Sequence, residues 1–437
     1  MKERNLNVLL FVLMLFMNVS EVMAQSVKQP WVSFYGGTLT FSYGAKPTKP
    51  KVPVICTKCK KTIPASNQFC GGCGTKIDDF CCYEVPLDGV NDITWSAKGS
   101  SIVKVVFSPS FKQVTNIVST AKWFKDFTNL TTITGLSNLN TKQVTNMSHM
   151  FDNCEKLISL NLSAFNTRQV ENMACMFRGC KKLESLDLSS FDTQKTELMT
   201  RMFEDCSNLK ALVIKSFNTS MVKDMSHMFS GCLKIDHLDL SHFDTSNVGR
   251  MKGMFKNCQS LRTVNLSSFN TSGVYDMEYM FYWCMNLEKL ELSNFDTSNI
   301  GNKYTLDGRE VHGNISYMFF NCKNLKTLDL SSFNTSKIAN MSYLFCGCNN
   351  LESVNVSSFD TSNVYTMEGM FKYCGSLTTI DLSSFDISHT DNMKDMFYED
   401  KKLQTIYKWY KDDYSWFRNE YGAFYHCHAQ FEEKSKK

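Results

Sequence analysis

Hydrophobic residues return along this chain in two interleaved rhythms. In Leu261–Cys284, Val264 and Leu266 alternate with polar neighbours, whereas Val274, Met277, Met280, Phe281 and Cys284 fall at i, i+3, i+6, i+7 and i+10. The first rhythm is that of a short strand with one buried face, and the second is one face of a helix. Asn270-Thr271-Ser272 stands where the helix would begin, and such side chains accept hydrogen bonds from first-turn N–H groups. Each unit is therefore predicted to be strand, turn and capped helix.

The unit recurs with a fixed period. Its Phe stands at Phe151, Phe177, Phe203, Phe229, Phe255, Phe281, Phe319, Phe345, Phe371 and Phe397, with a degenerate first copy at Trp123-Phe124. Every interval from Phe151 is 26 residues except the 38 between Phe281 and Phe319, so one copy carries a 12-residue insertion, Gly301 to His312. One such unit buries too little to stand alone, and stacking in series adds neighbour burial and strand pairing. The expected fold class is an α/β solenoid of leucine-rich-repeat type, with about eleven 26-residue strand-turn-helix repeats. Because a helix is ~8 to 10 Å wide and a strand ~4.8 Å, the array is predicted to curve, with strands on the concave side.

The pattern L-x-x-[LV]-x-[LV], then S-x-F-[DN]-T-S-x-V-x-x-M-x-x-M-F-x-x-C, as in Leu261 to Cys284 and Leu351 to Cys374, resembles the BspA-like leucine-rich-repeat surface proteins of bacteria. The resemblance covers roughly residues 85 to 407. It implies a secreted or surface-displayed protein that binds host extracellular-matrix proteins or other cells. Where the commoner leucine-rich pattern has an inward Asn, this chain has Phe165, Phe191 and Phe217, and the Asx one residue later is expected to take over the asparagine ladder.

Stacking converts each repeat position into a file of side chains. The outward strand file includes Asp187, Asp239, Glu291, Asp329 and Asp381, flanked by a Ser file from Ser163 to Ser383. We take these acids as candidate partner-binding residues, because outward strand files of solenoids form extended contact surfaces; the alternative is a merely solvated face. The helix-start file alternates Asn and Asp, from Asn166 to Asp386, and is expected to cap and turn the chain rather than to bind cations. The insertion adds Tyr304, Asp307 and Arg309 as candidates, since an interruption of a solenoid forms a protruding loop.

The 18 cysteines form two populations. Nine, from Cys154 to Cys374, occupy the inward helical position and are expected to be free, buried thiols. The second population is Cys56-Thr-Lys-Cys59 and Cys70-Gly-Gly-Cys73, two knuckles whose four thiolates suit tetrahedral zinc and resemble a small zinc ribbon over residues 55–77. Two disulfides are the alternative.

The start of the chain reads as a secretory signal peptide: Lys2 and Arg4, an apolar run from Val8 to Met17, and Ala24 before Gln25. Residues 25–118 are expected to form a small β-rich cap with a Gly36-Gly37 hairpin, and the resemblance to the BspA-like family implies that the ribbon interrupts that cap between two pairing strand regions. The solenoid follows over 119–402. Residues 403–437 carry an aromatic cluster, Trp409 and Trp416 among it, that either caps the last repeat or contacts a glycan or protein. Net charge is only +4, which gives no basic field for nucleic acid, and no later apolar run reaches the ~20 residues of a membrane span. No catalytic motif is present, and files of identical residues make a poor active site. The sequence thus predicts a non-enzymatic, adhesin-like protein that binds protein partners through its strand face and insertion, with a cell-envelope protein binding wall or surface glycans as the alternative.

Overall fold

The computed structural model describes residues 28–48, 54–55, 62–63, 81–87, 93, 95–301, 313–408 and 422–433. The predicted signal peptide lies outside them, and so do Cys56, Cys59, Cys70 and Cys73 of the predicted ribbon and Tyr304, Asp307 and Arg309 of the insertion.

The described residues begin with a five-stranded sheet. Strands β1 (Gln29–Tyr35) and β2 (Thr38–Gly44) form the predicted hairpin around Gly36-Gly37, where positive φ values of 56° and 77° suit glycine. Two short strands, β3 (Val54–Ile55) and β4 (Thr62–Ile63), pair with each other antiparallel. Then β5 (Cys81–Glu84) adds antiparallel to β1, β6 (Lys104–Phe107) adds parallel to β2, and β7 (Thr132–Thr134) adds parallel to β6. The strand regions on either side of residues 55–77 therefore do pair, as the sequence predicted for an interrupted cap. Phe41 is the centre of this cap, with Trp95, Phe107, Phe111, Trp123 and Phe124 around it at ring-centroid distances of 4.5 to 6.0 Å. Through Phe124 the cap runs directly into the repeats.

From there the chain winds as a solenoid whose turns are held by short parallel strands. Ser185–Asp187 pairs with Ala211–Val213, His237–Asp239 with Thr263–Asn265, and Thr327–Asp329 with Ser353–Asn355, each in register one turn apart. The expected helices do not form: among the described residues there is no α-helix. In their place, alternate N–H groups bond to the next turn. Met147, His149, Phe151 and Asn153 donate to the carbonyls of Asn172, Ala174, Met176 and Arg178, while Met150, Asp152 and Cys154 donate back to residues three earlier. A helix would send every N–H four residues back along its own turn.

The backbone device that makes this possible is a left-handed residue on each side of the Phe. His149 and Asn153 have φ of 57° and 59°, and the same two positions are positive in turn after turn. Asn, Asp and Gly, which tolerate that region best, hold the second position in most copies, for example Gly179, Asp205, Gly231 and Asn257. At Gly231 a Cβ would lie 2.2 Å from Asp205 Oδ1, so close approach of successive turns demands glycine as well. The turns still point Met277, Met280, Phe281 and Cys284 inward, all fully buried, so a helical spacing of apolar residues arises without a helix. With no helices on one side, the width difference behind the predicted curvature is gone.

The interior is a set of ladders. Twelve Phe rings from Phe124 to Phe424 stack at 5.2 to 5.8 Å between successive centroids. The last ring corrects the expected count of about eleven repeats. Phe424-Tyr-His-Cys427 continues the motif after a 27-residue step, and Gln430–Glu433 pairs parallel with Thr405–Lys408. The chain end therefore carries a twelfth turn rather than only an aromatic cap.

The asparagine-type ladder is also corrected. Buried Thr, not the preceding Asx, joins the turns: the Thr167 hydroxyl donates to the Asp192 carbonyl at 2.9 Å and accepts the Asp192 N–H at 2.8 Å. Thr193, Thr245, Thr271 and Thr361 make the same pair of bonds. The Asx side chains instead close local turns by accepting the N–H two residues on, as Asn166 does from Arg168.

Candidate functional site

Two long faces flank this core. On the strand face, Asp187, Asp239, Glu291 and Asp329 are exposed and Asp381 is half-buried, as the alternation predicted. The Asp residues also close local turns. Asp187, Asp239, Asp329 and Asp381 accept the N–H of Ser189, Ser241, Ser331 and Ser383 at 2.9 to 3.1 Å. The Ser189 N–H is the main cause holding the Asp187 carboxyl below the usual range, and the Ser331 N–H does the same at Asp329. Glu291 pairs instead with Lys289 at 3.0 Å. The strand face brings these acids into one file, mostly two turns apart with Val213, Asn265 and Asn355 between them.

A second face, which we call the turn face, is chemically varied. Its residues two before and one after the ladder Phe change in kind along the solenoid. In the early turns they are ionic. His149 Nδ1 lies 2.7 Å from Asp152 Oδ2, Arg178 grips the same carboxylate at 2.8 and 3.0 Å, and Arg201 pairs with Glu204 at 2.9 Å. The Asp152 side chain is fully buried beneath His149 and Arg178. Burial alone would raise its carboxyl, but the two cations outweigh burial and hold it low. The hydrogen bond to Asp152, and then one to Cys175, push His149 up to about 9, so the ring is charged at neutral pH. His227 stands in the same file one turn beyond Arg201 and behaves oppositely: burial, then Arg201 and two lysines, push it down to about 4.

In the later turns the same files become mainly aromatic, with one ion pair among them, Lys372 to Asp395 at 2.8 Å. Tyr279, Tyr317 and Tyr343 stack at 5.2 and 5.0 Å, and Tyr282 stacks on Phe320 at 5.0 Å. Lys256 sits 5.4 Å from the centres of both Tyr279 and Tyr282, within cation–π range. Tyr343 donates its hydroxyl hydrogen to Glu368. Near the end of the array Tyr398 stacks on Tyr425 at 5.1 Å, with Lys372 4.3 Å from the Tyr398 ring centre.

The nine file cysteines are free and fully buried, as expected. Each thiol donates to the carbonyl of the Phe one turn earlier at 3.1 to 3.3 Å, which turns it away from its neighbours. Burial pushes Cys206 and Cys258 up to about 12, leaving them protonated and inert. Asp400 takes the thiol's place in the eleventh turn. Its Oδ1 accepts the Cys374 N–H at 2.6 Å, its Oδ2 is buried without a partner, and burial raises it to about 8. Among the described residues no three His, Cys, Asp or Glu side chains converge to hold a metal ion, and no helix is long and apolar enough to cross a membrane.

The repeats match a known family over residues 118–237, 207–306 and 313–436, its description being Mycoplasma protein of unknown function, DUF285. The chain belongs to this family. No curated protein matches it. Solved structures similar to it include the pneumococcal vaccine antigen PcpA, at 14% identity over 92% of this chain and 85% of that one, with a TM-score of 0.32. A leucine-rich repeat protein from Eubacterium ventriosum is similar at 14% identity over 87% and 73%, TM-score 0.27. The TLR13–ssRNA13 complex is similar at 17% identity and TM-score 0.27 over 75% of this chain, which spans about half the length of that protein. The family's matched segments cover the repeats with both faces, including the twelfth turn that the sequence period alone had missed.

Proposed function

We propose that this member of the family is a secreted or surface-displayed, adhesin-like protein that binds protein partners, extracellular-matrix proteins among them, and carries out no catalysis. The observation that carries this reading is the segregation of chemistry on the turn face: ionic in the early turns, aromatic with lysine in the later ones, over an interior whose Phe, Thr and Cys positions hardly change. A scaffold needs only the repeated interior. Outward positions that change in kind along the axis are what a contact surface for an unlike partner requires, and half-buried Tyr with cationic neighbours is the composition of interface centres. The strand-face acids and the insertion supply further contacts. Zinc at Cys56, Cys59, Cys70 and Cys73 belongs to the reading as a structural ion, and metal analysis of the purified chain tests it.

The test of function is binding of the mature chain to immobilised matrix proteins and, in parallel, to wall polysaccharide. Tyr317→Ser with Tyr343→Ser is expected to weaken matrix binding by at least about tenfold, the scale of truncating two interface anchors. Charge reversal at Asp187, Asp239 and Asp329 is expected to weaken it less. Binding to polysaccharide alone, or binding that neither set of variants affects, contradicts the reading.

A further inference from the structure

The thiol ladder is broken at its eleventh turn. Each of the nine thiols donates to the carbonyl of the Phe one turn earlier, from Cys154 onto Phe124 through to Cys374 onto Phe345. The next carbonyl in that series belongs to Phe371. It accepts the Cys374 N–H at 3.0 Å, as its counterparts accept theirs, but it receives no thiol, because Asp400 stands where the cysteine would be. Asp400 is fully buried, its Oδ1 accepts the Cys374 N–H at 2.6 Å, and its Oδ2 has no partner. The charged groups on the turns around it are engaged elsewhere: Lys372 pairs with Asp395 at 2.8 Å, Lys401 with Glu399 at 2.7 Å, and His426 with Glu399. The remaining titratable neighbours are the buried thiols of Cys346, Cys374 and Cys427 and the turn-face tyrosines Tyr373, Tyr398 and Tyr425, whose rings contact one another. Among the described residues no cation pairs with the buried carboxyl, and burial raises it to about 8.

We propose that Asp400 is a proton-operated latch on the last two turns: as the neutral acid its Oδ2 hydroxyl donates to the Phe371 carbonyl in the thiol's place, and as the carboxylate it repels that carbonyl and the turns part. The ionising proton passes to solvent. The seam needs one donor at this point, which a thiol or a neutral acid supplies; a carboxylate has none to offer and leaves a buried charge unpaired. The twelfth turn hangs on the residues just before Asp400. Phe397 and Glu399 donate their N–H groups to the Ala423 and Tyr425 carbonyls at 2.8 and 2.9 Å, and the Phe397–Phe424 and Tyr398–Tyr425 stacks span the same junction. Protonation therefore closes the aromatic end of the turn face, and ionisation loosens it. The device does not depend on what the turn face binds.

Hydrogen exchange of the intact folded chain, read by peptide mass spectrometry from pH 5 to 9 with each rate divided by its intrinsic rate at that pH, tests this. Opening of residues 397–408 and 422–433 is expected to rise by about tenfold per pH unit between pH 5 and 7, the slope of one proton, and to level off above about pH 8. Residues 251–266, in the middle of the array, are expected to stay unchanged. Asp400→Asn can donate an amide N–H to the same carbonyl and has no proton to lose, so its end turns should show no such rise. Asp400→Cys restores the ladder thiol, should be equally flat, and decides the matter if Asp400→Asn folds poorly. End turns whose protection is flat with pH in the unaltered chain, a rise that persists in both variants, or a rise shared equally by residues 251–266 overturns the proposal.

Discussion

The strand face and the turn face are built from the same 26-residue period and put it to different uses. On the strand face the outward Asp residues at 187, 239, 329 and 381 repeat one local bond, each accepting the N–H of a Ser two residues on. On the turn face, equivalent positions hold an ion cluster of half-buried His149 and Arg178 over buried Asp152, and a tyrosine stack at Tyr279, Tyr317 and Tyr343. The difference teaches that repetition in a solenoid is demanded by the groups that join turns. Where a side chain joins nothing to the next turn, or joins it by an interchangeable contact, its chemistry is free to diverge.

Substitutions break this comparison in graded steps. The largest effect is expected at Asp152→Ala, which leaves two cations over a buried gap and should cost about 3 to 5 kcal/mol in urea unfolding. Next comes Thr219→Val inside the core. It removes the hydroxyl that donates to the Asp244 carbonyl at 2.8 Å and should cost about 1 to 3 kcal/mol by the same measurement.

Acid–base behaviour gives a smaller and signed effect. Asp400 is raised to about 8 and His149 to about 9 in the folded chain, so both bind protons more tightly there than when unfolded. Their stabilisation is complete below the unfolded values of 3.8 and 6.5 respectively. It is lost as pH rises through the folded values, so the melting temperature should fall from mildly acidic pH toward pH 9. Asp400→Asn should flatten the part of that fall up to about pH 8, and His149→Gln the part above pH 6.5. The smallest effect belongs to the strand face: Asp239→Asn keeps the oxygen that accepts the Ser241 N–H and should leave the melting curve unmoved.

Much of this architecture was legible in the sequence. The Phe period fixed the turns, every residue assigned to the inward face of Leu261–Cys284 is buried or nearly so apart from half-buried Val264, and the nine thiols are free. The hairpin at Gly36-Gly37 followed from alternation and glycine, whereas its union with the strand beyond the ribbon was implied only by the family resemblance. The helix was misread because i, i+3, i+7 spacing reports only which residues face inward, and a chain of turns with left-handed residues at His149 and Asn153 satisfies it equally. The contrary signal was present in Asn, Asp or Gly two residues after the Phe, a poor choice for a helix interior. The Thr ladder was hidden because Asx and Thr are adjacent and both can bond to backbone. The twelfth turn was hidden by a 27-residue step and by Ala423 standing where Met precedes most of the other Phe residues. The cluster of His149, Asp152, Cys175 and Arg178 needs the register as well: residues about 26 apart become neighbours only once one turn is laid on the next.

The central claim is that turns, not helices, close every repeat. Far-UV circular dichroism of the mature chain tests it most directly. The account predicts a spectrum of short strands and turns without the paired minima of α-helix, and a spectrum showing those minima at the strength of one helix per repeat would contradict it.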